Sequence, residues 1–215
     1  MPLSEKEQQE INTLVGRFEA DTGIQAVAAI VERSDAYPEL PWKAYALGSA
    51  LGALAVVLYP NPLTDWSGAS TLAFHAMAIL GTGALLAAAS LVPAIGRLLL
   101  DRVRAEGEGR QRAATMFLER ELFRTSARRA VLLFVSRFER VVVVLPDTGL
   151  ARYAPTDELD SVAGAMRAAL LRDGEAAAFA AGFEDLRRML KGHDYVASVP
   201  GANEIDDGVV TEKGA

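Results

Sequence analysis

Two aspartates, a glutamate-arginine pair and two histidines are the side chains of this 215-residue sequence whose types and settings admit chemistry. Asp147 follows an apolar run and begins an Asp147-Thr148-Gly149 turn, and Asp21 lies at the end of a helical pattern. If the run 24–31 lies antiparallel to 140–145, the Thr22 end of one strand falls beside the Asp147 end of the other. The two carboxylates would then begin an oxygen-only cluster suited to Ca²⁺ or Mg²⁺. Asp-x-Gly is also a common turn sequence, in which the aspartate serves its own backbone. Glu139 and Arg140 fall at the turn between two strand-like runs, as a ligand contact, a charge pair near lipid headgroups or a solvated turn. His75 sits in an apolar stretch one turn from its end, where it can reach an interface. His193 stands beside Asp194 with no serine in a nucleophile motif nearby, so a Ser-His-Asp site is not expected. The sequence contains no cysteine, which excludes disulfides, thiolate metal sites and a cysteine nucleophile.

The elements that must position these groups are organised around two apolar stretches, 44–59 and 72–100. The first has no ionisable side chain and, as a helix of about sixteen residues, spans roughly 24 Å. The second crosses a membrane with length to spare, its span expected over 72–96. The segment between them carries Pro60, Asn61, Pro62, Asp65 and Gly68, so an antiparallel transmembrane hairpin is expected, with both flanking arms on one side. Asp65 is the only charge in that loop, whereas Lys43 precedes the first span and Arg97, Arg102, Arg104, Arg110 and Arg112 follow from the end of the second. The positive-inside bias predicts cytoplasmic arms in an inner membrane. Residues 1–10 are acidic and polar, unlike a signal peptide. The basic cluster meets anionic headgroups at about 1 kcal/mol per residue near the surface, and a net charge of -6 argues against nucleic acid as a partner. Gly48 and Gly52 form a G-x-x-x-G whose use is packing within the hairpin, homodimerisation or docking on another membrane protein.

The N-terminal arm, 1–43, opens with Ser4-Glu5-Lys6-Glu7, a capping box. Ile11, Leu14, Val15 and Phe18 line one face of the helix that follows, and Ile24-Gln25-Ala26-Val27-Ala28-Ala29-Ile30-Val31 suits a strand buried on both faces. The C-terminal arm, 101–192, predicts a helix over 108–128, a hairpin of 131–136 with 140–145, and helices over 156–172 and 175–191. The remainder, 193–215, is expected to be extended. Neither arm makes a sheet alone. One α/β domain assembled from both, with a small central mixed sheet flanked by helices and split by the transmembrane hairpin, resolves this.

The order of motifs resembles the TPM domain family, in its bacterial membrane branch with transmembrane helices inserted in the domain. The resemblance rests on Glu19-x-x-Thr22-Gly23, Ser34-Asp35-x-Tyr37, Arg112-Ala113-Ala114-x-x-Phe117-Leu118 and Leu122-x-x-Thr125-x-x-Arg128. The hairpin with Ser136-x-x-Glu139-Arg140, then Asp147-x-Gly149 and Asn203-Glu204-Ile205-x-Asp207, complete the series. Arg129-Ala130 replaces the family's usual Thr-Gly, and Leu145-Pro146 stands where a small residue is usual. The family implies a sheet flanked by helices and two kinds of role, an acid phosphatase of photosystem II repair and an auxiliary protein of acetylcholine receptors. For this chain the expectation is an interaction or accessory module for a membrane protein or complex, as partner or homodimer, with no assembled catalytic site. A metal-assisted phosphatase is the alternative.

Overall fold

The computed structural model describes residues 3–58, 68–125, 127–197, 205 and 208–214. They form two compact units, one made of 1–35 with 105–215 and the other of 36–104.

The discontinuous unit is built on a four-stranded mixed sheet of order β3-β2-β1-β4. Helix α1 (Glu5–Thr22) starts at the expected capping box: the Ser4 amide donates to Glu7 Oε2 at 2.9 Å, and the Glu7 amide donates to Ser4 Oγ at 3.2 Å. Strand β1 (Gln25–Val31) follows and is buried on both faces from Ala26 onward. It pairs in parallel with β2 (Ala130–Ser136), Gln25 facing Ala130 and Val31 facing Ser136. Strand β3 (Val141–Pro146) turns back antiparallel to β2.

The side chains alternate cleanly between two cores. On one face Ala26, Ala28, Ile30, Val131, Leu133 and Val135 pack with apolar residues of α1, α6 (Thr156–Asp173) and α7 (Glu175–Gly192). Phe18 of α1 and Phe183 of α7 meet there with ring centroids 5.1 Å apart. On the other face Val27, Ala29, Val31, Leu132 and Phe134 pack against Ala113, Met116 and Phe117 of α5 (Arg102–Glu119). Helices on both faces of a mixed sheet give the expected α/β class.

Two expectations about this unit are corrected. The tail is not merely extended: Val210–Glu212 forms β4, parallel to β1, pairing Ala29 with Val210 and Val31 with Glu212. Its three residues lacked the length and apolar density of a strand signal, and β1 supplies the template. Where β4 does not reach, the buried Glu19 carboxylate takes its place, accepting the Ala26 amide at 2.7 Å. The helix expected over 108–128 instead ends at Glu119, because Glu121 adopts a left-handed conformation (φ 52°) before a short 3₁₀ turn.

The second unit contains α2 (Glu39–Leu58) and α3 (Ala69–Ala89), whose mutual packing dominates it. The second apolar helix stops at Ala89 rather than continuing to 96, since Pro93 opens a separate turn, α4 (Pro93–Gly96). Both long helices are long and apolar enough to cross a membrane, with mean hydropathy 1.3 over Glu39–Leu58 and 1.8 over Thr71–Ala89. Only 22% and 11% of their apolar windows are buried, and Leu51, Leu54, Val57, Phe74, Met77 and Leu85 are exposed. The loop expected between them lies outside the described residues from 59 to 67.

Candidate functional site

Of the polar side chains that the sequence singles out, Glu139 and Asp147 lie at opposite ends of the β2–β3 hairpin, each held by its own partners.

At the turn end, the residues 137–140 link Ser136 to Val141, and Arg140 takes a left-handed φ of 55°. Glu139 is not a solvated turn residue. Its carboxylate is buried and accepts the Ser34 amide at 2.8 Å through one oxygen and the Ser136 hydroxyl through the other. The Ser34 hydroxyl in turn donates to Ser136 Oγ at 2.9 Å, with Ser136 fully buried. The network joins residues more than a hundred positions apart, immediately before the chain leaves this unit after Asp35. Both carboxylate oxygens take part in the network, and the serine is inaccessible to solvent. It is a clasp. Beside it Arg137 forms a two-point pair with Glu175 at the start of α7, at 2.5 and 2.8 Å. Hydrogen bonding to Glu175 raises the Arg137 pKa above its ordinary value, so this guanidinium stays charged. Arg140 itself is exposed and belongs to the turn alone in the contacts described.

At the other end, Asp147 is 3% exposed and binds Arg128 through both oxygens, to Nε and Nη2, each at 2.9 Å. It also accepts the Thr148 amide at 2.7 Å. Gly149 explains the rest of the Asp-x-Gly pattern. A Cβ there would lie 2.4 Å from the Arg128 carbonyl and 2.6 Å from that of Ala127, while the Gly149 amide donates to Arg128 O at 2.9 Å. The turn wraps the segment before β2, so only glycine fits.

Asp21 does not join Asp147. β1 does run antiparallel to β3 in direction, but β2 lies between them, and Asp21 instead pairs with Arg187 of α7 at 2.9 Å. The expected two-carboxylate beginning of a Ca²⁺ or Mg²⁺ site is therefore replaced by two separate arginine pairs. Among the described residues no group of three or more acidic, histidine or cysteine side chains converges in a way that could hold a metal. Asn203, Glu204 and Asp207 lie outside the described residues. His193 pairs with Glu158 at 2.7 Å, linking the ends of α7 and α6. His75 is buried in α3, its ring centroid 6.1 Å from that of Phe74.

In the second unit the G-x-x-x-G faces α3. A Cβ on Gly48 would come within 2.5 Å of the Thr82 carbonyl, and one on Gly52 would collide with Thr82 Oγ1. Thr82 Oγ1 lies 3.0 Å from the Gly48 carbonyl across the helix pair, and its single proton is shared among that oxygen and the Ala78 and Ile79 carbonyls of its own helix, at 2.8 and 3.0 Å. The small residues are used within the hairpin.

Sequence reading missed Arg128, Ser34 and Glu175 as partners. Ser34 and Arg128 both stand in the ordered motifs, but pairing distant residues needed the strand register.

These features define an α/β unit with helices on both sheet faces and an apolar helical insertion between its first strand and its crossover helix. Across nearly its whole length the chain is similar in fold to the BA42 protein from the psychrophilic bacterium Bizionia argentinensis. The TM-score to its NMR structure is 0.57 at 11% identity, with 98% of this chain and 96% of that one covered. Neither a family model nor a curated protein matches the sequence.

Proposed function

We propose that the chain is a membrane-anchored interaction module: a TPM-like α/β unit, cytoplasmic in orientation, held at the inner membrane by the α2–α3 hairpin and serving another membrane protein or complex. The observation that carries this reading is the pair of long helices whose large apolar side chains face outward, inserted in a unit whose buried acidic groups are spent on internal clasps. The ordered motifs support the TPM assignment, and the charge bias of 43 and 97–112 supports the orientation.

The test is extraction and partner recovery. Membranes expressing the tagged chain are washed with alkaline carbonate, then cross-linked and purified in mild detergent. Retention in the washed membrane with a reproducible membrane-protein partner is expected. Release by carbonate would overturn the anchor. Absence of any specific partner across several mild detergents, or phosphatase turnover lost in Asp147→Ala with the fold intact, would overturn the interaction role.

A further inference from the structure

Among the described residues, the outer edge of β3 has no strand beside it. Its hydrogen-bonding direction follows from the register. The Asp147 amide donates to Ala130 O at 2.8 Å, and alternation along the antiparallel ladder then turns Leu145, Val143 and Val141 toward β2. Val142, Val144 and Pro146 present their backbone groups outward. Pro146, which has no amide to offer, stands at an outward position, as a proline in an edge strand must. The Val142 and Val144 amides have no partner among the described residues.

This edge is recessed. A cavity of about 600 Å³ runs along it, lined by five consecutive strand residues, 142–146, from both faces. Arg110 and Ala114 of α5 form one wall and Leu159, Asp160 and Ala163 of α6 the other. Since α5 and α6 cover opposite faces of the sheet, the Arg110–Asp160 pair, 3.4 Å apart, crosses the open edge. Both side chains are mostly exposed, at 66% and 61%, so this strap contributes little stability and opens readily.

The geometry points to β3 as a strand-addition site for an extended peptide segment of the partner, an inference that rests on the interaction-module reading. A second copy is disfavoured as the occupant, because its own β3 edge carries the same two helical walls and they would meet before the strands could pair. A bare segment fits. It would replace the unmet bonds of Val142 and Val144, with apolar side chains set against the valines. Adjacent residues of a strand point to opposite faces. The occupant that compensates for opening the strap therefore carries an acidic residue facing Arg110 and, next to it, a basic residue facing Asp160.

The experiment uses the full chain in lipid nanodiscs and a labelled hexapeptide, Thr-Val-Glu-Lys-Val-Thr, with a control N-methylated on the central amides. Saturable binding is expected, with slowed hydrogen exchange at Val142 and Val144 and about tenfold weaker binding of the control, the cost of losing backbone hydrogen bonds. Asp160→Lys, a surface change that leaves the core untouched, is expected to weaken the Glu-Lys peptide and spare one in which threonine replaces lysine. No binding, or equal binding of the N-methylated peptide, overturns strand addition. Protection of Val142 and Val144 that rises with protein concentration and without peptide also overturns it, in favour of a second copy. Val142→Pro removes an outward amide at a position equivalent to Pro146 and leaves the ladder to β2 whole. If this variant is folded and recovers the membrane partner as well as the parent chain, strand addition falls while the interaction role stands. If the parent chain recovers no partner, both fall.

Discussion

Replacing Asp147 by alanine tests whether this carboxylate is a clasp or half of a metal site. The side chain is almost wholly buried and receives two guanidinium bonds, one amide bond and a longer bond from the Thr148 hydroxyl at 3.3 Å. Hydrogen bonds to a charged group contribute about 1.5–3 kcal/mol each when buried. Arg128 is 49% exposed, so water recovers part of its solvation when the partner is lost, and the net cost of Asp147→Ala falls to about 2 kcal/mol. Arg128→Ala leaves the buried carboxylate with the Thr148 amide and hydroxyl and no countercharge, at a similar cost of about 2 kcal/mol. With both removed, neither penalty of a stranded partner applies. The double variant should lose only about 2.5 kcal/mol, a coupling of about 1.5 kcal/mol. The assay is hydrogen exchange over 130–146 in detergent-solubilised protein, where 2 kcal/mol reads as roughly thirtyfold faster exchange. Adding Ca²⁺ or Mg²⁺ should leave the parent chain's exchange unchanged. Single-variant costs that simply sum in the double variant would refute the clasp, and cation-dependent protection lost in Asp147→Ala would restore the metal reading.

Gly149→Ala should be as damaging as Asp147→Ala although it removes no bond, because its Cβ meets two backbone carbonyls; a melting temperature equal to the parent's would contradict that. Glu139→Gln keeps the shape of the clasp but gives Ser34 N–H and Ser136 O–H one acceptor between them, so a loss of about 1–2 kcal/mol is expected, read as faster exchange in residues 31–35. Gly52→Leu should separate α2 from α3, lowering a disulfide cross-linking yield between cysteines introduced on their facing sides while Gly81→Leu, in open space, leaves it intact. The Glu7 carboxyl is held below its ordinary value by the Ser4 hydroxyl, then by the Ser4 amide. A lowered acid contributes stability above its unfolded pKa and loses it as pH falls through the folded value. Thermal melts across the acid range should therefore show α1 weakening below the usual glutamate range, with a shallower slope in Ser4→Ala.

Much of the fold was legible because its signals are local. The capping box at Ser4 and Glu7 needs four residues, the doubly buried β1 needs seven, and the apolar lengths of α2 and α3 are read without a partner. The short β4 was not legible, since three residues acquire strand geometry only from pairing with β1. The site was half legible for the same reason. Asp147, Glu139, Gly48 and Gly52 stand out by type, but what they do depends on register. Placing β2 between β1 and β3 separates Asp21 from Asp147 and brings Ser34 to Glu139. A sequence ranks residues by chemistry, and only the pairing order says whether that chemistry is free or consumed.

The place of the insertion follows from the same pairing order. β1 and β2 are parallel neighbours, so the chain between them must make a crossover, and α5 supplies its helix. Loops of crossovers tolerate insertions because closure entropy grows only logarithmically with length, about 0.6 kcal/mol per doubling. β1 can therefore meet β2 from about a hundred residues away at modest cost. If the α2–α3 hairpin packs first, through Gly48, Gly52 and Thr82, its ends are already close and the loop that β1 and β2 must close shortens further. The Glu139 clasp then secures the last residues of the N-terminal arm as they leave the sheet. Weakening the hairpin should accordingly slow assembly of the sheet more than it destabilises it. Gly52→Leu refolded into lipid should show delayed protection of β1 and β2 with near-parental protection at equilibrium. Equilibrium loss without any delay would place the hairpin's contribution after the rate-limiting step and overturn this order of events.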